Sequence, residues 1–176
     1  MEKHKINKLT YSLFIIYLIT LIWIIVFKLN VPFTHIGNLR TINLIPFSEP
    51  LKLNGKISYN EMIMNVVVFV PLGIYTGILF EKWKTINKLF LFFLISFTCE
   101  LLQYIFSIGA SDITDLINNT LGGLIGLIIY KVIERAFKNK LKAQKFINLI
   151  AKVGTTIIIL LLLLFLRINN RLIFRI

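Results

Sequence analysis

Five long stretches of the chain are almost free of charge. Residues 9–27 and 62–80 carry none. Residues 89–109 contain only Glu100, residues 116–133 only Lys131, and residues 146–166 only Lys152. Each is close to the roughly 20 helical residues that cross a hydrocarbon core. Backbone N–H and C=O groups in lipid must be paired internally, which a helix does unaided. The pattern predicts an all-α polytopic membrane protein, a single domain over residues 1–176. Its bundle holds about five transmembrane helices, about 9–29, 62–80, 89–109, 115–133 and 146–167. A long loop, 30–60, joins the first two.

Composition agrees. Hydrophobic residues make up 57% of the chain and charged ones 16%, with mean hydropathy +0.81. Soluble domains have about 45–50% apolar residues. Lys3, Lys5 and Lys8 resemble the basic start of a signal peptide, but the apolar run exceeds such a segment and no small-x-small cleavage site follows. The first span is therefore expected to stay as an anchor. Cys99 is the single cysteine, so no intramolecular disulfide forms, and its place in the third span predicts a buried, inert thiol.

The net charge of +12 changes the picture in one respect. Lys and Arg gather in cytoplasmic loops. With the N-terminus inside, thirteen of the twenty basic residues fall on the inner side and seven on the outer, which predicts that orientation. The basic run 135–145 is then expected to lie against anionic head groups, and the lipid bilayer is the first partner. Sparse aromatics around that run argue against nucleic acid. The three arginines Arg167, Arg171 and Arg175 read as interfacial anchors, and they strain the outward placement of the C-terminus.

Orientation places the polar residues of the spans at one level. Asn65 lies in the outer half of the second span, which also carries Pro71 and a predicted kink there. Glu100 and Gln103, at i and i+3, share a face of the third span with Ser96 one turn earlier. Asp112 and Asp115 follow the outer turn, and Asn119 stands four residues after Asp115. Gly122 and Gly126 form the GxxxG pattern of close helix packing. The outer loop adds Arg40, a candidate anion clamp and counter-ion, and Asn43, a candidate hydrogen-bonding residue. The loop stretch 39–47 is apolar enough to dip to the interface or pack over the bundle. The expected binding residues are Arg40, Asn43, Asn65, Glu100, Gln103, Asp112, Asp115 and Asn119. His4 and His35 fall on opposite sides, so no His-based metal site and no cofactor are expected.

These pieces resemble the VanZ-like family of small bacterial membrane proteins. The carriers are Arg40 with NLIPF at 43–47, Asn65 with FVPLG at 69–73, ELLQ at 100–103, and DITDLINNTLGG at 112–123 with Gly126. Their order and spacing span about half the chain. The resemblance implies motif positions at Arg40, Asn43, Pro46, Phe47, Asn65, Phe69, Pro71, Gly73, Glu100, Gln103, Asp112, Asp115, Asn119 and Gly122. Two positions depart from the family pattern. Ala110 stands where an Arg is common, and Thr114 where an acidic residue often stands. The family is named for a protein giving low-level resistance to the glycopeptide teicoplanin, so the resemblance implies a role in the bacterial cell envelope. It supplies no reaction.

Three functions follow. In the first, an outward polar site binds an amphiphile, either an acylated glycopeptide or a lipid-linked wall precursor. Intramembrane ionisable residues mark such sites by default. In the second, Glu100, Asp112 and Asp115 are catalytic candidates in an enzyme modifying a lipid-linked precursor, by general acid chemistry or through a divalent ion. No nucleophile–base pair accompanies them, and DITD lacks the ligand spacing of a metal loop. In the third, the polar residues pair across helices and only fix the bundle. Three carboxylates facing the single candidate cation Arg40 fit that reading poorly.

Overall fold

The structure is a computed structural model that describes residues 2–27, 42–47, 51–53, 56–107 and 111–173. Five helices account for nearly all of it: α1 (Glu2–Phe27), α2 (Asn60–Leu79), α3 (Thr85–Ile105), α4 (Ile113–Phe137) and α5 (Lys140–Ile173). Among the described residues, α1 to α4 are long and apolar enough to cross a membrane. The fifth apolar stretch lies within the 34-residue α5. Four short strands are added: β1 (Ile42–Asn43), β2 (Leu51–Leu53), β3 (Lys56–Ser58) and β4 (Ser111–Asp112). β2 and β3 form an antiparallel hairpin just before α2, with Leu51 opposite Ser58.

Helix ends follow local chemistry. α1 starts before the charge-free run, so Lys3, Lys5 and Lys8 lie in its first turns. α3 begins after the extended Lys84 and stops at Ile105, short of the predicted 109, because Ser107 takes a left-handed φ of 55°. α4 ends where Lys138 is left-handed, with φ 51°. Asn139 then caps α5, its Oδ1 accepting from Lys142 N at 3.0 Å. The basic run 135–145 is thus the end of one helix and the start of the next, joined by a tight turn.

The exterior is apolar, as a bilayer demands. Ile19 is 65% exposed and Phe90 63%. The core joins Leu21 and Val26 of α1, Phe69 and Leu72 of α2, Phe92 and Cys99 of α3, and Leu127 of α4. Cys99 is free and buried. The tightest seam runs between α2 and α4. A Cβ on Gly126 would overlap the Val70 carbonyl and come within 2.9 Å of Gly73 Cα. One on Gly122 would overlap the Val66 carbonyl. Backbones meet here because no side chain separates them, the packing that GxxxG permits. α2 continues through Pro71 as one helix, and the Tyr17 hydroxyl of α1 donates to the Val68 carbonyl at 2.8 Å.

The helices make two distinct ends. At one end lie the start of α1, the α2–α3 turn and the α4–α5 turn. Lys140 pairs there with Glu81, and Lys145 Nζ lies 2.5 Å from Glu2. A buried polar knot ties α1 to α5 nearby. Gln144 Nε2 donates to Thr10 Oγ1 at 2.8 Å, and Asn148 Nδ2 donates to the same oxygen at 2.9 Å. The other end gathers the close of α1 and α3, the starts of α2 and α4, and the strands β1 and β4.

Candidate functional site

The polar residues of the second end are organised by two residues of strand on each side. β1 pairs in parallel with β4, placing Ile42 opposite Ser111 and Asn43 opposite Asp112. The loop segment that carries Asn43 is thereby fastened to the start of α4.

Asp112 is the hub of this junction. Its backbone is extended, and it caps α4 by accepting from Thr114 N on Oδ1 at 2.7 Å. Its Oδ2 accepts from Asn43 Nδ2 at 3.1 Å. Its own N–H donates to Glu100 Oε2 at 3.2 Å, and the neighbouring Ser111 hydroxyl donates to the Glu100 carbonyl at 2.9 Å. One connected set thus spans the loop, α4 and the last turns of α3. Asn43 also orders its own turn, its Oδ1 accepting from Ile45 N at 3.1 Å. Two residues on, the Phe47 N–H donates to Thr114 Oγ1 at 3.0 Å.

Burial differs across the set. Glu100 is 5% exposed, while Asp112 and Asp115 are half-buried. Asp115 sits in the first turn of α4, where the helix dipole favours a carboxylate. Both Glu100 and Asp115 make further interactions.

The remaining predicted residues are placed around this set. Gln103 faces α1, its Nε2 donating to the Ile25 carbonyl at 2.8 Å. Asn119 lies deeper, its Nδ2 donating to Ser96 Oγ on α3 at 2.8 Å. Asn65 is buried on α2. The structure therefore joins Asn43, Asp112 and Glu100 directly and sets Asp115 beside them. It directs Gln103 and Asn119 into helix seams. Arg40 and Ala110 lie outside the described residues.

Three buried polar atoms have no hydrogen-bond partner among the described residues: Gln103 Oε1, Asn118 Nδ2 and Asn119 Oδ1. Each such atom costs about 1–3 kcal/mol. Sequence reasoning passed over Asn118, although it adjoins Asn119. It also treated Thr114 only as a departure from a pattern, whereas its hydroxyl holds the Phe47 backbone. Among the described residues, no group of three or more His, Cys, Asp or Glu is placed to hold a metal ion.

Residues 14–134 match the family model described as VanZ/LLP1. The chain is also 36% identical over 156 residues to Protein VanZ of Enterococcus faecium, with 88% of this chain and 91% of that protein covered. No solved structure matches.

Proposed function

We propose a function from one premise: the chain belongs to the VanZ/LLP1 family and is a multi-pass bacterial membrane protein. In this proposal the end carrying Asn43, Glu100, Asp112 and Asp115 faces outward, with the N-terminus inside. It binds the polar head of an amphiphile at the outer leaflet, either an acylated glycopeptide of the teicoplanin type or a lipid-linked wall precursor. Binding there lowers susceptibility to teicoplanin.

One observation carries the reading. A half-buried carboxylate, Asp112, is bonded to the loop through Asn43 and to the buried Glu100 through its own N–H. Carboxylates this close to hydrocarbon are costly unless held by such partners. Both oxygens of Asp112 are engaged within the fold, which gives it a positioning role. In this reading Glu100 and Asp115 meet the ligand's cationic or hydroxyl groups, with Arg40 as their counter-ion. The acyl chain enters the bilayer beside α3 and α4.

The test is susceptibility in the native host, comparing acylated teicoplanin with non-acylated vancomycin. Deletion, Glu100→Gln, Asp115→Asn and Arg40→Ala are compared at matched membrane expression. The proposal expects a loss of protection against teicoplanin for each variant and little change for vancomycin. Full protection by all three variants would overturn it.

A further inference from the structure

The end of the bundle away from Asp112 holds a cavity of about 510 Å³. The first turns of α1, the α2–α3 turn and the start of α5 line it. Its walls are of two kinds. Leu79, Phe80 and Leu141 make an apolar side, while Lys3, Lys82 and Lys140 line it from three separate segments.

The three lysines are not equivalent. Lys140 is paired with Glu81 and lies 3.7 Å from Glu134. Lys3 and Lys82 have no ion-pair partner among the described residues. Among the described residues, Glu81 is the one carboxylate lining the cavity, and Lys140 already holds it. Two lysines without an ion-pair partner among the described residues therefore line one concave space.

A directed donor lies there as well. Gln144 Nε2 donates to Asn7 Oδ1 at 3.0 Å and to Thr10 Oγ1 at 2.8 Å, so both of its protons are used. This orients Asn7, whose Nδ2 then has no acceptor among the described residues although the residue lines the cavity. Trp83 packs on Phe80 with ring centroids 4.6 Å apart, at the end of the spanning helices where tryptophan marks the head-group level.

We propose that this cavity binds one anionic phospholipid. Its phosphate sits between Lys3 and Lys82 and accepts from Asn7 Nδ2, and the start of its acyl chain lies along Leu79, Phe80 and Leu141. Lysines make point-charge contacts to phosphate, and basic cavities between membrane helices suit such head groups. A soluble phosphate would leave the apolar wall unused. The site is separate from the one proposed around Glu100 and holds whichever leaflet this end occupies.

The test uses the full chain purified in nonionic detergent, with bound lipid counted by native mass spectrometry as phosphatidylglycerol is titrated in. The wild type is expected to retain one phosphatidylglycerol in preference to phosphatidylcholine. Lys3→Gln with Lys82→Gln is expected to weaken it roughly thirtyfold, at about fivefold per lysine. Lys138→Gln with Lys142→Gln removes the same charge from the neighbouring turn and should leave affinity near wild type. Should the first pair fail to express, Lys82→Gln alone still predicts its own share of the loss. Equal loss in both pairs, or no loss in the first, overturns the site. Equal retention of phosphatidylcholine, or displacement of the lipid by millimolar inorganic phosphate, overturns the assignment to an anionic lipid.

Discussion

The bond from Asn43 to Asp112 fastens the loop segment between α1 and α2 to the start of α4, and its strength can be measured as a coupling. Asp112→Ala removes two things. The cap on Thr114 N is worth about 1 kcal/mol. The 3.1 Å bond from Asn43 to a half-buried carboxylate is worth about 1–2 kcal/mol beside a membrane. The expected loss is about 2–3 kcal/mol. Asn43→Ala removes the same bond and the turn bond to Ile45 N, for about 2 kcal/mol. The double variant counts the shared bond once. It should fall short of the sum by about 1–2 kcal/mol, a coupling typical of residues in contact. Denaturant unfolding of the purified protein in mixed micelles measures all four forms. Additivity within about 0.5 kcal/mol would refute the reasoning, because two residues without a shared bond add.

Other outcomes follow from single contacts. Gly126→Ala should destabilise by about 1–3 kcal/mol or more, because the new Cβ meets the Val70 carbonyl of α2; Gly154→Ala, inside α5 with nothing within 4 Å of its Cβ, should stabilise by up to about 1 kcal/mol through helix propensity and so leave the unfolding midpoint no lower. Gln103→Leu loses the bond to the Ile25 carbonyl but removes the unpaired Oε1, so its net cost should be below about 1 kcal/mol. Lost protection against teicoplanin in that variant at normal stability would assign Gln103 to the ligand. Asn148→Leu strips a donor from the buried Thr10 hydroxyl and should cost about 1 kcal/mol, read as a lower unfolding midpoint with teicoplanin susceptibility unchanged.

The spans were legible because lipid forbids charge over about 20 residues, a rule that works locally. Their ends were less so. Charged turns such as Lys3 to Lys8 continue a helix into water at no cost, so hydropathy alone starts α1 too late. Ser107 turns left-handed, and nothing in its own identity announces that. The shared face of Ser96, Glu100 and Gln103 was legible from helical spacing, and all three are buried. The glycine seam was legible in part: GxxxG marks α4 as a close-packing helix, but its partner α2 is set by three-dimensional docking. The β1–β4 pairing was beyond local pattern, since two residues of strand carry no periodicity and the partners lie 69 positions apart at Asn43 and Asp112. The knot of Thr10, Gln144 and Asn148 left a signal that was overlooked, two amides at i and i+4 on the same face of α5.

The contact that brings Asn43 to Asp112 depends on the glycine seam. α4 carries Asp112 at its start and the glycines Gly122 and Gly126 further along. The glycines hold α4 against the α2 backbone, which sets the position of the α4 N-terminus relative to the end of α2's first turns. The Asn119 bond to Ser96 then ties α4 to α3 between the glycines and the cap. α3 presents Glu100 one turn beyond Ser96, within reach of the Asp112 N–H. A shift of α4 along α2 would therefore move the Asp112 N–H away from Glu100 and the carboxylate away from Asn43 together. This predicts that Gly126→Ala, though far along the helix from Asp112, lowers the Asn43–Asp112 coupling as well as overall stability. The same double-mutant cycle run in the Gly126→Ala background measures it. An unchanged coupling would show that β1 and β4 hold the junction by themselves.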